Sequence, residues 1–236
     1  MNIVLLQPGD WIDHHRVQLA DRRFRHLVEV LGIAPGSQVK VGQINGLCGI
    51  GCIETLTNDS VVIKVELNTE PPARHPFTVV LALPRPKMLR RVLRTCAEFG
   101  VADIHLIHSW RVEKSFWQSP LLASGKIQEA LQAGLERSGD TLLPKVTLHR
   151  RFRPFIEDEL QELARGRPIY IAHPGQHPTL ATTTSSGAVL LIGPEGGFIP
   201  FEVELAEHNG AQLRSMGNRI LSVDTAVNAA LARAWV

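Results

Sequence analysis

After residue 72 the chain alternates short apolar runs with stretches of helical period, and this alternation restricts its fold more than any other feature of the sequence. Apolar runs stand at Phe77 to Leu83, Ile104 to Ile107, Ile169 to Ala172, Ala188 to Ile192 and Gln212 to Met216. Helical spacing fits Lys87 to Phe99, Leu121 to Arg137, Pro154 to Ala164, Pro200 to His208 and Asp224 to Trp235. Ser119-Pro120 offers the second helix an N-cap and a first-turn proline, and Asn209-Gly210 offers the fourth a stop. Strands joined through helices run parallel, and a parallel sheet needs cover on both faces. The expected class is therefore α/β, a mostly parallel sheet with helices on both sides.

Residues 1–72 follow another rule. Gln38 to Ile44, Leu47 to Ile53 and Val61 to Leu67 are short β-rich runs, and Asn45-Gly46 between the first two predicts a type I′ hairpin turn with positive φ at both residues. Together they predict a small β-barrel or sheet, preceded by a short helix around Arg22 to Leu31 that Gly32 ends. The segment from Asn68 to Pro76 has three prolines and no hydrophobic period. A domain boundary is placed there, giving domains 1–72 and 73–236.

Composition narrows the function classes. A 236-residue chain with 44% hydrophobic and 20% charged residues reads as folded and soluble. The start of the chain has no basic lead and its apolar run, Ile3 to Leu6, is short, which argues against a signal peptide or a membrane span and predicts a cytoplasmic location. Three cysteines, Cys48, Cys52 and Cys96, are too few for a disulfide framework. Proline and glycine inside His173-Pro-Gly-Gln-His177 keep that pair off a common helical face, so no metal site is expected. Charge is uneven: residues 1–72 carry six Lys/Arg against eight Asp/Glu, the remainder nineteen against fifteen. The excess suits an anionic partner for the second part, or solubility alone.

Two glycine turns carry the chemistry. Leu191-Leu-Ile-Gly-Pro-Glu-Gly-Gly-Phe198 and Met216-Gly-Asn-Arg-Ile-Leu-Ser-Val-Asp-Thr-Ala226 each leave an apolar strand through glycine and open a helix, which is where open α/β sheets bind nucleotides. Glu195 is the ionisable side chain of the first turn and Asp224 the carboxylate near the second. Each suits a general base or a hold on a cationic substrate, while Glu195 also suits bonding to amides of the following turn and Asp224 the N-cap of the last helix. On the helix from Lys87, the cations Lys87, Arg90, Arg91 and Arg94 form one stripe with no compensating acid, opposite Leu89, Val92, Leu93 and Cys96. With Arg85 and Arg111, that stripe fits either nucleic-acid phosphates or a solvated face. Aromatic residues are few, which favours recognition by backbone and shape over base stacking.

Gly193-Pro-Glu-Gly-Gly-Phe198 with Met216-Gly-Asn-Arg-Ile-Leu221, preceded by Glu98-Phe-Gly-Val101 and Ser109-Trp-Arg111, resembles the bacterial 16S ribosomal RNA uracil-N3 methyltransferases of the SPOUT, or α/β-knot, class. The resemblance spans essentially the whole chain. It implies a trefoil-knotted C-terminal domain, an N-terminal PUA-like β-barrel that binds RNA, a homodimer and no membrane partner. It also implies that S-adenosylmethionine is bound in a bent form by Ala172, His173, Ile192, Gly193, Glu195, Gly196, Met216, Gly217, Ile220 and Leu221. The substrate implied is ribosomal RNA or the small ribosomal subunit.

Departures from the family pattern gather among polar residues. The usual Arg-Ile-Leu-Arg-x-Glu-Thr-Ala is here Arg219-Ile-Leu-Ser-Val-Asp-Thr-Ala226, a Gln-Lys pair is Arg94-Thr95, Glu-Gln-x-x-Arg is Glu136-Arg-Ser-Gly-Asp140, and Val-Leu-Arg is Val30-Leu-Gly32. Because methyl transfer to uracil N3 needs a proton acceptor near nitrogen and no strong negative field on the sulfonium, Asp224 is the first candidate for base or base-orienter. Arg219 suits stabilisation of the uracil anion. The alternatives are a paralogue that methylates another RNA position and an inactive RNA-binding or ribosome-assembly module.

Overall fold

The structure, a computed structural model, describes residues 1–180 and 187–234. They fall into two compact units: Met1–Ala73 with Gln132–Leu143, and Arg74–Leu131 with Pro144–Val236.

The small unit holds β1 (Val4–Leu6), β2 (Arg16–Leu19), α1 (Arg22–Glu29), β3 (Gln38–Gln43), β4 (Cys48–Leu56) and β5 (Val61–Thr69). Its five strands form one sheet in the order β1-β3-β4-β5-β2, with β1 parallel to β3 and the other pairs antiparallel. Alternate residues Val17, Leu19, Val61 and Ile63 point inward with Leu6, Val41 and Ile53, and α1 closes the core with Phe24 and Leu27. Asp21 caps α1 by accepting the Arg23 amide.

The hairpin turn is not type I′. Only Asn45 has positive φ, 59°, because the turn is shaped by a neighbour. The Asn45 amide donates to the Thr141 carbonyl at 2.8 Å and the Thr141 hydroxyl donates to the Gly46 carbonyl at 2.6 Å.

The large unit contains β6 (Phe77–Ala82), α2 (Pro86–Glu98), β7 (Asp103–Ile107), β8 (Lys145–His149), β9 (Ile169–Ala172), β10 (Ala188–Ile192), α6 (Pro200–His208), β11 (Ala211–Arg214) and α7 (Val223–Arg233). Between β7 and β8 runs α3 (Ser124–Ser138). Before β9, α4 (Phe152–Pro154) and α5 (Leu160–Ala164) are joined by a π-helical turn, Phe155–Glu159. The sheet order is β11-β9-β10-β6-β7-β8, every pair parallel. Every residue of β6 and β10, the two central strands, is buried, as a sheet covered on both faces requires.

Several boundaries differ from expectation. Ser119 does accept an amide hydrogen bond, from Leu121, but it caps a 3-10 turn, Pro120–Leu122. Ala123 is extended, so the α-helix starts only at Ser124. The helix expected from Pro154 starts two residues earlier, with Pro154 tolerated in its first turn. Asp224 is not the N-cap of α7; Ser222 occupies that position. The expected end of that helix at Trp235 lies outside the described residues.

β7 and β8 bring two histidines together. His105 Nδ1 lies 3.0 Å from His149 Nε2, the rings stack at 5.2 Å, and His149 Nδ1 is 3.3 Å from a Glu159 carboxylate oxygen. Burial, then the neighbouring His149, pulls His105 down to about 4. Its folded value is below the unfolded 6.5, so as pH falls through 6.5 the unfolded chain takes up a proton that the folded chain refuses. Stability should therefore decline between pH 6.5 and 4, by about 2 kcal/mol from this group after allowance for solvent screening. In urea titrations across that range, His105→Gln should flatten the decline, and an unchanged slope would remove His105 as its source.

Candidate active site

Register makes the ends of three strands level. Ala172 on β9 pairs with Ile192 on β10 and Arg214 on β11, so the chain leaves all three at one edge of the sheet. From β10 it enters Gly193 to Phe198, where the Gly197 amide donates to the Pro194 carbonyl at 2.8 Å and Gly197 takes φ +73°. From β11 it enters Ser215 to Leu221, where the Gly217 amide donates to Ser215 Oγ at 3.1 Å.

Two ionic side chains that the sequence reading missed hold these turns. Glu202, 4% exposed in the first turn of α6, accepts the Ile199 amide at 3.0 Å and the Trp110 amide at 2.7 Å. It thereby ties the Ser109 to Arg111 loop to the first turn, and the Arg111 guanidinium donates to the Gly196 carbonyl. Arg233 of α7 donates to the carbonyls of Met216, at 3.0 Å, and Leu180, at 3.2 Å.

The turns enclose a cleft of about 330 Å³. All ten residues expected to contact a cofactor line it, and so does Arg219. Its walls are apolar at Ile192, Phe198, Leu221, Val223 and Ala226; Glu195 is its carboxylate, and Arg111 and Arg219 are its cations. This donor set fits S-adenosylmethionine: apolar surfaces for adenine, glycine backbone for close approach, guanidinium groups for an amino-acid carboxylate, and little negative charge for the sulfonium.

Asp224 is elsewhere. In the first turn of α7 it accepts the Ser222 hydroxyl at 2.6 Å and pairs with Arg91 of α2 at 3.0 Å. The Ser222 hydrogen bond foremost holds this carboxyl below its ordinary range; burial opposes it, and the bonds from Arg91 and the Thr225 amide add to the lowering. It does not line the cleft.

The basic stripe also differs from expectation. Leu89, Val92, Leu93 and Cys96 are buried, as the helical spacing requires, and Lys87, Arg90 and Arg91 are exposed. The stripe does have compensating acids: Asp224 reaches Arg91 from α7, and Glu98, one turn on, lies 3.7 Å from Arg94. Among the described residues no cluster of His, Cys, Asp or Glu is placed to hold a metal ion, and no helix is long and apolar enough to cross a membrane.

The model of the RNA methyltransferase domain family matches residues 71–235. The chain is 32% identical to ribosomal RNA small subunit methyltransferase E of Treponema pallidum, over 98% of this chain and 90% of that one. It is 23% identical to ribosomal RNA small subunit methyltransferase E 1 of Borreliella burgdorferi, over 98% and 95%. Its fold is that of the Neisseria gonorrhoeae methyltransferase E crystallised with S-adenosyl methionine, with a TM-score of 0.76 at 23% identity over 98% and 95% of the two chains. On the extent of both matches, the chain belongs to the RNA methyltransferase domain family and, within it, to the ribosomal RNA small subunit methyltransferase E proteins.

Proposed function

We propose that this protein is an S-adenosylmethionine-dependent methyltransferase acting on N3 of a uridine in 16S ribosomal RNA. The observation that carries this reading is the convergence of ten residues from three strand ends on one cleft whose chemistry fits the cofactor. S-adenosylmethionine, when bound, supplies an electrophilic methyl group. Ile192, Leu221 and Ala226 enclose its apolar part, and Arg111 and Arg219 offer charge to its carboxylate. Arg219, with no hydrogen bond among the described residues, also serves the uracil anion. Asp224 acts as an orienter, holding Ser222 and Arg91 in place.

In the same reading 73–236 is a SPOUT domain whose chain is threaded as a trefoil knot, supported by the placement of β10 between the earlier strands β9 and β6. Residues 1–72 form a PUA-like RNA-binding domain. The protein works as a homodimer, supported by Trp110 and Ile220, apolar side chains 78% and 87% exposed beside the cleft. Nucleoside mass spectrometry of ribosomal RNA from cells with and without the gene tests the substrate. Loss of 3-methyluridine is expected; loss of a different methylated nucleoside would favour the paralogue.

Lys87, Arg90 and Arg91, with Arg85 and Arg94, contact RNA phosphates. Alanine at Lys87 or Arg90 should lower the salt dependence of RNA binding by about one counterion each. Arg94→Ala should do less, because Glu98 already engages that guanidinium. Equal slopes for all variants and wild type would leave the stripe as a solvated face.

A further inference from the structure

Beside the cleft lies a second cavity of about 650 Å³ with no role so far. Met88 of α2, Phe116 of the 3-10 turn Lys114–Gln118, and Val223 give it apolar walls; Arg85 and Lys87 line it with exposed positive charge. Glu195 and Val223 line both this cavity and the cleft. Glu195 Oε1 accepts the Arg85 backbone N–H at 3.1 Å, at the head of α2. That bond sets the carboxylate between the two spaces and leaves Oε2 without a hydrogen bond among the described residues.

Resting on the reading above, we propose that this cavity receives the target uracil, turned out of the RNA, and that Glu195 takes its N3 proton. A pyrimidine has two flat apolar faces and a polar edge. Phe116, Met88 and Val223 offer surfaces for the faces, and Arg85 and Lys87 offer charge to the flanking phosphates. The reacting nitrogen must sit where the two spaces meet, and Glu195 is the carboxylate at that border. Glu113 lines only the second cavity, and Asp224 lines neither.

In the step itself the N3–H bond breaks, the proton passes to Glu195 Oε2 and the electron pair stays on N3. That pair forms the new N–CH₃ bond as the methyl's bond to sulfur breaks, its electrons remaining on sulfur. Glu195 later releases the proton to water, so one methylation yields one proton. Asp224 keeps the orienting role, since it fixes Ser222 at the cavity wall.

The test uses the full-length protein. Glu195→Gln keeps an oxygen for the Arg85 amide; with its S-adenosylmethionine affinity read by calorimetry, the variant is compared with wild type at saturating cofactor. Its methylation rate should fall about 10²- to 10⁴-fold, and the residual rate should climb tenfold per pH unit as hydroxide replaces the carboxylate. Phe116→Ala should raise KM for small-subunit RNA about tenfold with cofactor affinity unchanged. RNA substituted with 4-thiouridine should photocrosslink to peptides containing Met88 or Phe116. Crosslinks elsewhere, with Glu195→Gln turning over within threefold of wild type, would overturn the proposal while wild-type methylation leaves the parent reading intact. A wild-type protein that binds no S-adenosylmethionine would remove both.

Discussion

Arg23→Ala is expected to lower the stability of the small unit by about 3–5 kcal/mol, the usual effect of removing one member of a buried ion pair. Arg23 is 5% exposed in the first turn of α1, a position that normally points to water. Its guanidinium donates to both oxygens of Asp10, at 2.6 and 2.8 Å, to Asp21 at 3.0 Å and to the Leu5 carbonyl at 2.6 Å. Burial opposes the charge, but the bonds to Asp10 and Asp21 outweigh it and raise the group's pKa above the ordinary arginine value. Alanine would strip the guanidinium donors from the Asp10 carboxylate, 12% exposed and left with the Gln7 amide at 2.6 Å, and from the Leu5 carbonyl.

This pair joins the 3-10 turn Pro8–Asp10 to α1, so its loss should release both from the sheet. Hydrogen exchange should show the amides of β1 and α1 losing protection first, together with a lower urea midpoint. Adding Asp10→Asn to the variant should recover part of the loss, because the uncompensated charge is then gone. By contrast, Arg16 and Asp13, paired at 2.7 Å with side chains 50% and 37% exposed, should tolerate Arg16→Ala with little change. Equal midpoints for Arg23→Ala and Arg16→Ala would show that burial does not separate the two pairs.

What the sequence makes legible follows burial. β6 and β10 are apolar throughout because they lie mid-sheet, and their runs stand out in the sequence. β8 escapes notice: as an edge strand it alternates Lys145, Thr147 and His149 with Val146 and Leu148, so it lacks the continuous apolar run that marks β6 and β10. β1 and β2 are too short, at three and four residues, to show a period. Strand order is not local at all, since the place of β10 between β9 and β6 depends on how the whole sheet is assembled.

The site divides in the same way. Its backbone was readable, because a glycine at the end of an apolar strand carries its own reason. Its supports were not. Glu202 does leave a trace, an acid three residues after Ile199 with Pro200 between, the spacing by which a side chain returns to a helix N-terminus. Arg233 leaves none, for its partners at Met216 and Leu180 are met only in the folded chain. The same holds for the Arg91 to Asp224 pair, which turns a conspicuous carboxylate away from the cleft.

Gly193→Val should raise the dissociation constant for S-adenosylmethionine at least a hundredfold, about 2.7 kcal/mol, whereas Gly217→Ala should raise it about tenfold. At Gly193 a Cβ would stand 3.2 Å from the Phe198 nitrogen, 3.3 Å from its ring and 3.4 Å from Gly197 Cα. The ring cannot withdraw, being 8% exposed and packed 5.7 Å from Phe152. The turn must therefore shift, and the valine methyls would take space in a cleft of only about 330 Å³. At Gly217 a Cβ would meet nothing within 4 Å, so clearance is not the constraint. There the backbone is the constraint: φ +125° is rarely adopted by L-residues and costs about 1–3 kcal/mol, which the turn can relieve in part by moving Met216 and Ile220. Calorimetry on variants first shown by thermal melting to be folded separates the two causes. If Gly193→Val bound within threefold of wild type, the cleft would not hold the cofactor against that turn; if Gly217→Ala lost as much as Gly193→Val, backbone conformation rather than clearance would set the affinity.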